Sequence, residues 1–228
     1  MKSLECSAGL ERRRVLLKTF AQKFSLKVRC SCFKIFYIGF LKNFFQSINE
    51  EPDRHILEVG IGFGDKTSAM SDHIKDPKKL YGIDIDPERI KEAQRKYLEI
   101  KLDYANAINL PYPDQLMTAV CFCQSTHYLS SDDLEKALQE ASRVLKSNGK
   151  LLIIETFKFR RKILDLLLIP LRQLYQYTFG AGEYYNITEE EFLAVADQQG
   201  FSLQENMKES HWLYSILISN TLIFDKKS

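Results

Sequence analysis

Residues 55–86 read HILEVGIGFGDKTSAMSDHIKDPKKLYGIDID, and the order of residue types along them decides the fold. Ile56, Leu57 and Val59 surround one acid, Glu58, and lead into Gly60-Ile61-Gly62-Phe63-Gly64. Ala69, Met70 and Ile74 then follow in a helix-like segment. A second apolar run, Leu80-Tyr81-Gly82-Ile83, ends on Asp84. The pattern predicts strand, glycine turn, helix and strand, with a carboxylate at the tip of the second strand. Glycines let a ligand touch main chain, N–H groups attract its polar end, and a carboxylate chelates vicinal hydroxyls.

The glycine spacing separates two classes of nucleoside ligand. Dinucleotide folds use Gly-x-Gly-x-x-Gly, with a pyrophosphate held at the helix N-terminus. Here the spacing is Gly-x-Gly-x-Gly, with Glu58 two residues ahead. This resembles the first motif of class I S-adenosylmethionine (SAM)-dependent methyltransferases, and the resemblance extends over roughly residues 50–220. It implies a doubly wound α/β fold, Rossmann-like, with a mostly parallel seven-stranded sheet and an antiparallel C-terminal hairpin. It also implies SAM as cofactor, held by Glu58, Gly60, Gly62 and Gly64. Asp86-Pro87 reads as an N-cap with proline at the first helical position. That leaves Asp84 for the ribose hydroxyls and Ile85 for the adenine ring. A nicotinamide-dependent reductase fails on the glycine spacing and the hairpin.

Further along, Asn106-Ala107-Ile108-Asn109-Leu110-Pro111-Tyr112-Pro113-Asp114 resembles a loop of the ubiquinone/menaquinone C-methyltransferase group. The resemblance places Ala107 at the cofactor, with Asn106 at the position that accepts the adenine amino group. Asp103 is a rival for that bond, and Asn106 capping its own turn is the structural alternative. Met117–Cys123 reads as the fourth strand, with Thr118 where the family has an acid. Gln124 at its end is a cofactor candidate. His127, in Gln124-Ser125-Thr126-His127-Tyr128-Leu129, falls near the expected acceptor and is the candidate catalytic base, with a structural histidine as the alternative. Ser131-Asp132-Asp133 is expected to cap the next helix and Asn148-Gly149 to end it. The run EASRVLKSNGKLLIIE closely resembles the family's helix, turn and fifth strand.

Residues 158–186 read as an insertion at the place where such enzymes carry a substrate lid, with Tyr184 and Tyr185 over the pocket. Thr188 and Glu191 form a capping box, the helix stops at Gly200, and Phe201–Glu205 and Trp212–Phe224 read as the final strands. At the other end, Phe33, Phe36, Tyr37, Phe40, Leu41, Phe44 and Ile48 share one helical face, flanked by Arg29, Lys34 and Lys42. Core packing and a peripheral membrane helix both fit that stripe. We expect an N-terminal helical cap over 1–50 and the methyltransferase domain over 51–228.

Composition bounds the partners. The 228 residues carry 32 basic and 30 acidic side chains, a net charge of +2, which disfavours a generic nucleic-acid binder. Five cysteines are an odd number, and the charged start MKSLECSAGLERRR lacks a secretory core, so a reducing, cytoplasmic setting is expected. Cys30-x-Cys32 and Cys121-x-Cys123 lack the spacing and further ligands of a zinc site, and no metal is expected. The implied function is methyl transfer from SAM to a small or lipophilic metabolite. A catalytically silent SAM-binding scaffold is the alternative, and the retained Glu58, glycines and Asp84 argue against it.

Overall fold

The computed structural model describes residues 44–46, 48, 53–74, 76–155, 157, 185, 187–209 and 219–227. Strands β1 (Ile56–Val59), β2 (Leu80–Asp84), β3 (Lys101–Tyr104), β4 (Met117–Cys123), β5 (Leu145–Glu155), β6 (Phe201–Glu209) and β7 (Ser219–Lys226) form one sheet. Its order is β3-β2-β1-β4-β5-β7-β6. The pairs β1–β2, β1–β4, β2–β3 and β4–β5 are parallel, while β7 runs antiparallel to both β5 and β6. The expected architecture is the observed one. Because β1 has β2 on one side and β4 on the other, the strand order reverses there, opening a crevice at the carboxyl ends of β1 and β4.

Helices α1 (Asp65–Ser71), α2 (Pro87–Lys96), α3 (Ser131–Val144) and α4 (Glu189–Gln198) connect the strands. Alternation along each strand divides its side chains between two cores. Leu57, Val120, Phe122 and Ile153 pack with Leu134, Leu138 and Ala141 of α3 and Phe192 of α4. On the opposite face, Ile56, Cys121, Cys123 and Ile154 pack with Ala69 and Met70 of α1. Cys121 and Cys123 are buried free thiols in that second core, as their alternation predicts. Of the N-terminal aromatic stripe, Phe44 and Ile48 lie buried in the same core together with Phe45. Those side chains serve packing; Phe33, Phe36, Tyr37, Phe40 and Leu41 lie outside the described residues.

Local signals are mostly realised where expected. The Asp86 side chain accepts from Glu88 N and Arg89 N at the start of α2, and Thr188 and Glu191 form both bonds of the capping box. Strand β6 runs on to Glu209 rather than stopping at Glu205, and both boundaries of α3 differ. The cap of α3 is Ser130, which accepts from Asp133 N, because the helix begins at Ser131 itself. The helix then ends at Val144, and Asn148-Gly149 sits within β5. There Met117 pairs with Leu145 but Ala119 with Lys150, so extra residues of β5 bulge where a helix end was expected. The Thr118 hydroxyl accepts from His55 N at 3.4 Å.

Arg143, near the end of α3, clamps the 106–114 loop to the domain. Its guanidinium donates to Glu140 at 2.7 and 2.8 Å, to Asp114 at 2.7 Å, and to the carbonyls of Tyr112 and Leu110 at 2.9 and 3.0 Å. Glu140 in turn accepts from Leu110 N at 2.7 Å. These bonds hold the Glu140 carboxyl below its ordinary range, chiefly through Arg143. Arg143→Ala should lower stability by roughly 2 kcal/mol, the scale of losing charged bonds to carbonyls, since the exposed Asp114 contact adds little. Thermal unfolding of the variant measures this, and an unchanged midpoint would refute the clamp.

Candidate functional site

The crevice is walled by the glycine turn after β1, the tip of β2 and the segment that follows β4. Gly60, Gly62 and Gly64 all have positive φ, at 80°, 58° and 76°. That backbone explains why residues with a Cβ are disfavoured, but the surroundings differ. A Cβ at Gly60 would lie 2.6 Å from Ser125 Cβ, and one at Gly64 would lie 2.8 Å from the Tyr97 ring. A Cβ at Gly62 meets nothing within 4 Å among the described residues. Two glycines therefore serve packing of the turn itself, and the third faces open space.

Asp84 ends β2 and is buried. Its Oδ2 accepts from Gly62 N at 2.7 Å, and its Oδ1 accepts from Asp86 N at 3.0 Å. The carboxylate thus ties the turn to β2, and each oxygen keeps a second acceptor site. Ile85 beside it is 61% exposed, a bare apolar surface at the crevice. Asp84→Asn keeps the side chain's shape. We expect it to weaken binding of a vicinal diol by at least about tenfold, the scale of one charged hydrogen bond, with little change in unfolding temperature. Equal affinity for adenosine-containing ligands in both proteins would remove Asp84 from the site.

Glu58 points to the α1 face and is completely buried. Thr67 of α1 donates to its Oε2 at 2.5 Å, while Oε1 has no hydrogen-bond partner among the described residues. Burial pushes the carboxyl up to about 7, against the lowering effects of the Thr67 bond and of Lys66. An incompletely satisfied buried acid under a glycine turn suits a cationic ligand. Lys66 donates to the carbonyl of Cys123, linking α1 to the end of β4.

On the far wall, Gln124 has φ 55°, a strained value for a residue with a side chain, while its N–H donates to Ile154 O at 2.7 Å. Ser125 Oγ donates to Val59 O at 2.7 Å, closing β4 against β1. His127 follows in a turn, Thr126–Tyr128, and is buried with its Nδ1 2.8 Å from Glu155 Oε1. Tyr185 N donates to His127 O at 2.8 Å, so the end of the insertion meets this turn. Tyr184 lies outside the described residues.

In the 106–114 loop Asn106 caps its own turn. Its Oδ1 accepts from Ile108 N at 3.2 Å, which is the turn-capping alternative. Asp103 accepts from the Tyr112 hydroxyl at 3.0 Å and is engaged there. Ala107 is half-buried against the core on the α3 side of the sheet. Residues that sequence reasoning passed over are Thr67, Lys66, Ser125, Arg143 and Glu155. Only Glu155 carried a signal, an acid ending the apolar run LLIIE. Among the described residues no cluster of His, Cys, Asp and Glu has the arrangement of a metal site.

This fold, with a Gly-x-Gly-x-Gly turn over a buried acid and a second acid at the tip of β2, is the fold of the class I methyltransferases. Residues 56–149 match the family model described as a methyltransferase domain. Among sequence relatives, a demethylmenaquinone methyltransferase of Lactobacillus johnsonii is 28% identical over 134 residues, covering 56% of this chain and 54% of the relative. The chain spans about half the length of the curated relatives it matches. Among solved structures, YcgJ of Bacillus subtilis superposes with a TM-score of 0.63 at 17% identity, over 82% of this chain and 98% of that one. Geranyl diphosphate C-methyltransferase from Streptomyces coelicolor, solved with S-adenosyl-L-homocysteine, gives 0.61 at 13% identity, over 81% and 79%. SAM is the cofactor of this class, and the residues present fit it. Gly62 leaves room for its approach, the Glu58 oxygen that has no partner among the described residues suits its positive charge, and Asp84 keeps acceptor capacity for a ribose.

Proposed function

We propose that this protein transfers a methyl group from SAM to a small lipophilic metabolite of the quinol type. The observation that carries the reading is the open position beside Gly62, set between the buried carboxylates of Glu58 and Asp84 at the sheet's switch point. When bound, SAM supplies an electrophilic methyl group on a sulfonium. Glu58 then offsets positive charge, Asp84 and Ile85 hold the nucleoside, and Ala107, Gln124 and the second side of Asn106 complete the wall. The acceptor lies toward His127, beside Tyr128 and Tyr185, residues that are 38% and 41% exposed. Aligning two reactants in one crevice is worth about 7–11 kcal/mol and is the larger part of what the protein contributes.

The acceptor class is supported by relatives named for a demethylmenaquinone and by a structural neighbour named for geranyl diphosphate. In this reading residues 158–186 are the acceptor's lid, Tyr184 lies with Tyr185 over it, and residues 1–50 cap the cofactor side. No helix among the described residues is long and apolar enough to cross a membrane. The test is incubation with methyl-labelled SAM and dithionite-reduced demethylmenaquinone, followed by organic extraction. Label in the extracted quinol supports the reading. SAM binding without label in any apolar product would overturn the acceptor class.

A further inference from the structure

Glu155 is the last residue of β5, one step past the pairing of Cys123 with Ile154, so it sits directly under the segment leaving β4. It is 1% exposed. Its Oε2 accepts from Thr126 N at 3.1 Å, Thr126 Oγ1 at 2.6 Å and His127 N at 3.3 Å. Its Oε1 faces His127 Nδ1 at 2.8 Å. Two of these donors are main-chain N–H groups that can only donate, so the carboxylate is built as an acceptor toward a single turn. Its remaining oxygen faces the ring and can only accept, which orients the imidazole with Nδ1–H toward Glu155 and turns Nε2 away from it.

We propose that Glu155 is a positioning residue that holds His127 as a general base, and that the acceptor is therefore a molecule that loses a proton as it is methylated, an acidic hydroxyl or carbon acid. This rests on the methyltransferase reading above. The acceptor's proton passes to His127 Nε2, and the electron pair it leaves behind forms the bond to the methyl carbon. The electrons of the broken sulfur–carbon bond stay on sulfur, and the imidazolium returns its proton to water. A neutral amine has no need of that base before attack, so a histidine oriented by a buried carboxylate is chemistry matched to an acid.

Glu155→Gln tests the arrangement sharply, because the amide is nearly the same shape but carries two donors. Its carbonyl takes the Thr126 and His127 N–H groups, which leaves its NH2 facing Nδ1. Long-range proton–nitrogen NMR of the four histidine rings, with His127→Asn for assignment, reads the result in the full-length protein. Wild type should show His127 with hydrogen on Nδ1, and Glu155→Gln should invert it to Nε2. Hydrogen on Nε2 in wild type, or an unaltered ring in the variant, overturns the proposal. In parallel, methyl transfer is measured on naphthalene-1,4-diol and on 1-naphthylamine. The diol should be the substrate, and Glu155→Gln should cut kcat at least about tenfold with KM little changed, part of the roughly 10²–10⁴-fold a positioned base supplies. Faster methylation of the amine overturns the acceptor class. Turnover of neither probe counts against the quinol reading of the function, and the ring signature alone then decides the role of Glu155.

Discussion

Gly62→Val should abolish SAM binding while leaving a folded domain. The side chain would project into space that holds no atom of the described residues within 4 Å, so it meets no clash with them and fills the volume a cofactor needs. The φ of 58° adds about 1–2 kcal/mol of strain, a cost the domain can absorb. Gly60→Ala and Gly64→Ala serve as contrasts, because their added carbons meet Ser125 and the Tyr97 ring. These two should lower the unfolding temperature more than Gly62→Val does. Calorimetry with S-adenosylhomocysteine and thermal unfolding on all three variants distinguish the roles. Retained affinity in Gly62→Val would show that the cofactor lies elsewhere.

The second large effect is on pH dependence and follows from Glu58. Burial raises its carboxyl from an ordinary 4.5 to about 7. A raised acid stabilises the unliganded fold fully below its unfolded value, and that contribution is lost as pH rises through 7. Cofactor binding has the opposite sign, because a cationic ligand is complemented by the ionised form. Affinity for SAM should therefore fall below pH 7, approaching tenfold for each further unit, whereas the unliganded protein gains stability from Glu58 over the same window. Glu58→Gln should weaken binding at pH 8 and flatten the profile. A wild-type affinity that is constant from pH 8 to about 5 would remove Glu58 from the cofactor's surroundings.

Much of the fold was legible because its signals are local. The βαβ unit shows as two short apolar runs around a glycine turn, and a strand's alternation sorts Cys121 and Cys123 onto one face. The caps at Asp86 and Thr188 are likewise written in neighbouring residues. What was not legible depends on register. Asn148-Gly149 has the composition of a helix end, yet the pairing of β5 with β4 takes those residues into a bulge. Asn106 looked able to face a ligand, and only the closed turn shows its carbonyl engaged by Ile108 N. The clearest omission is Glu155. An acid closing an apolar strand is the feature that singled out Asp84, and it recurs at Glu155. Its importance emerges only when parallel pairing sets it beneath His127, 28 residues earlier in the chain.

The central claim is that this crevice binds SAM, and isothermal titration of the wild-type chain with S-adenosylhomocysteine at pH 8 addresses it most directly. One saturable site per chain, lost in Gly62→Val and weakened in Asp84→Asn, is the predicted result. No saturable binding by the folded wild-type protein at millimolar ligand would contradict it.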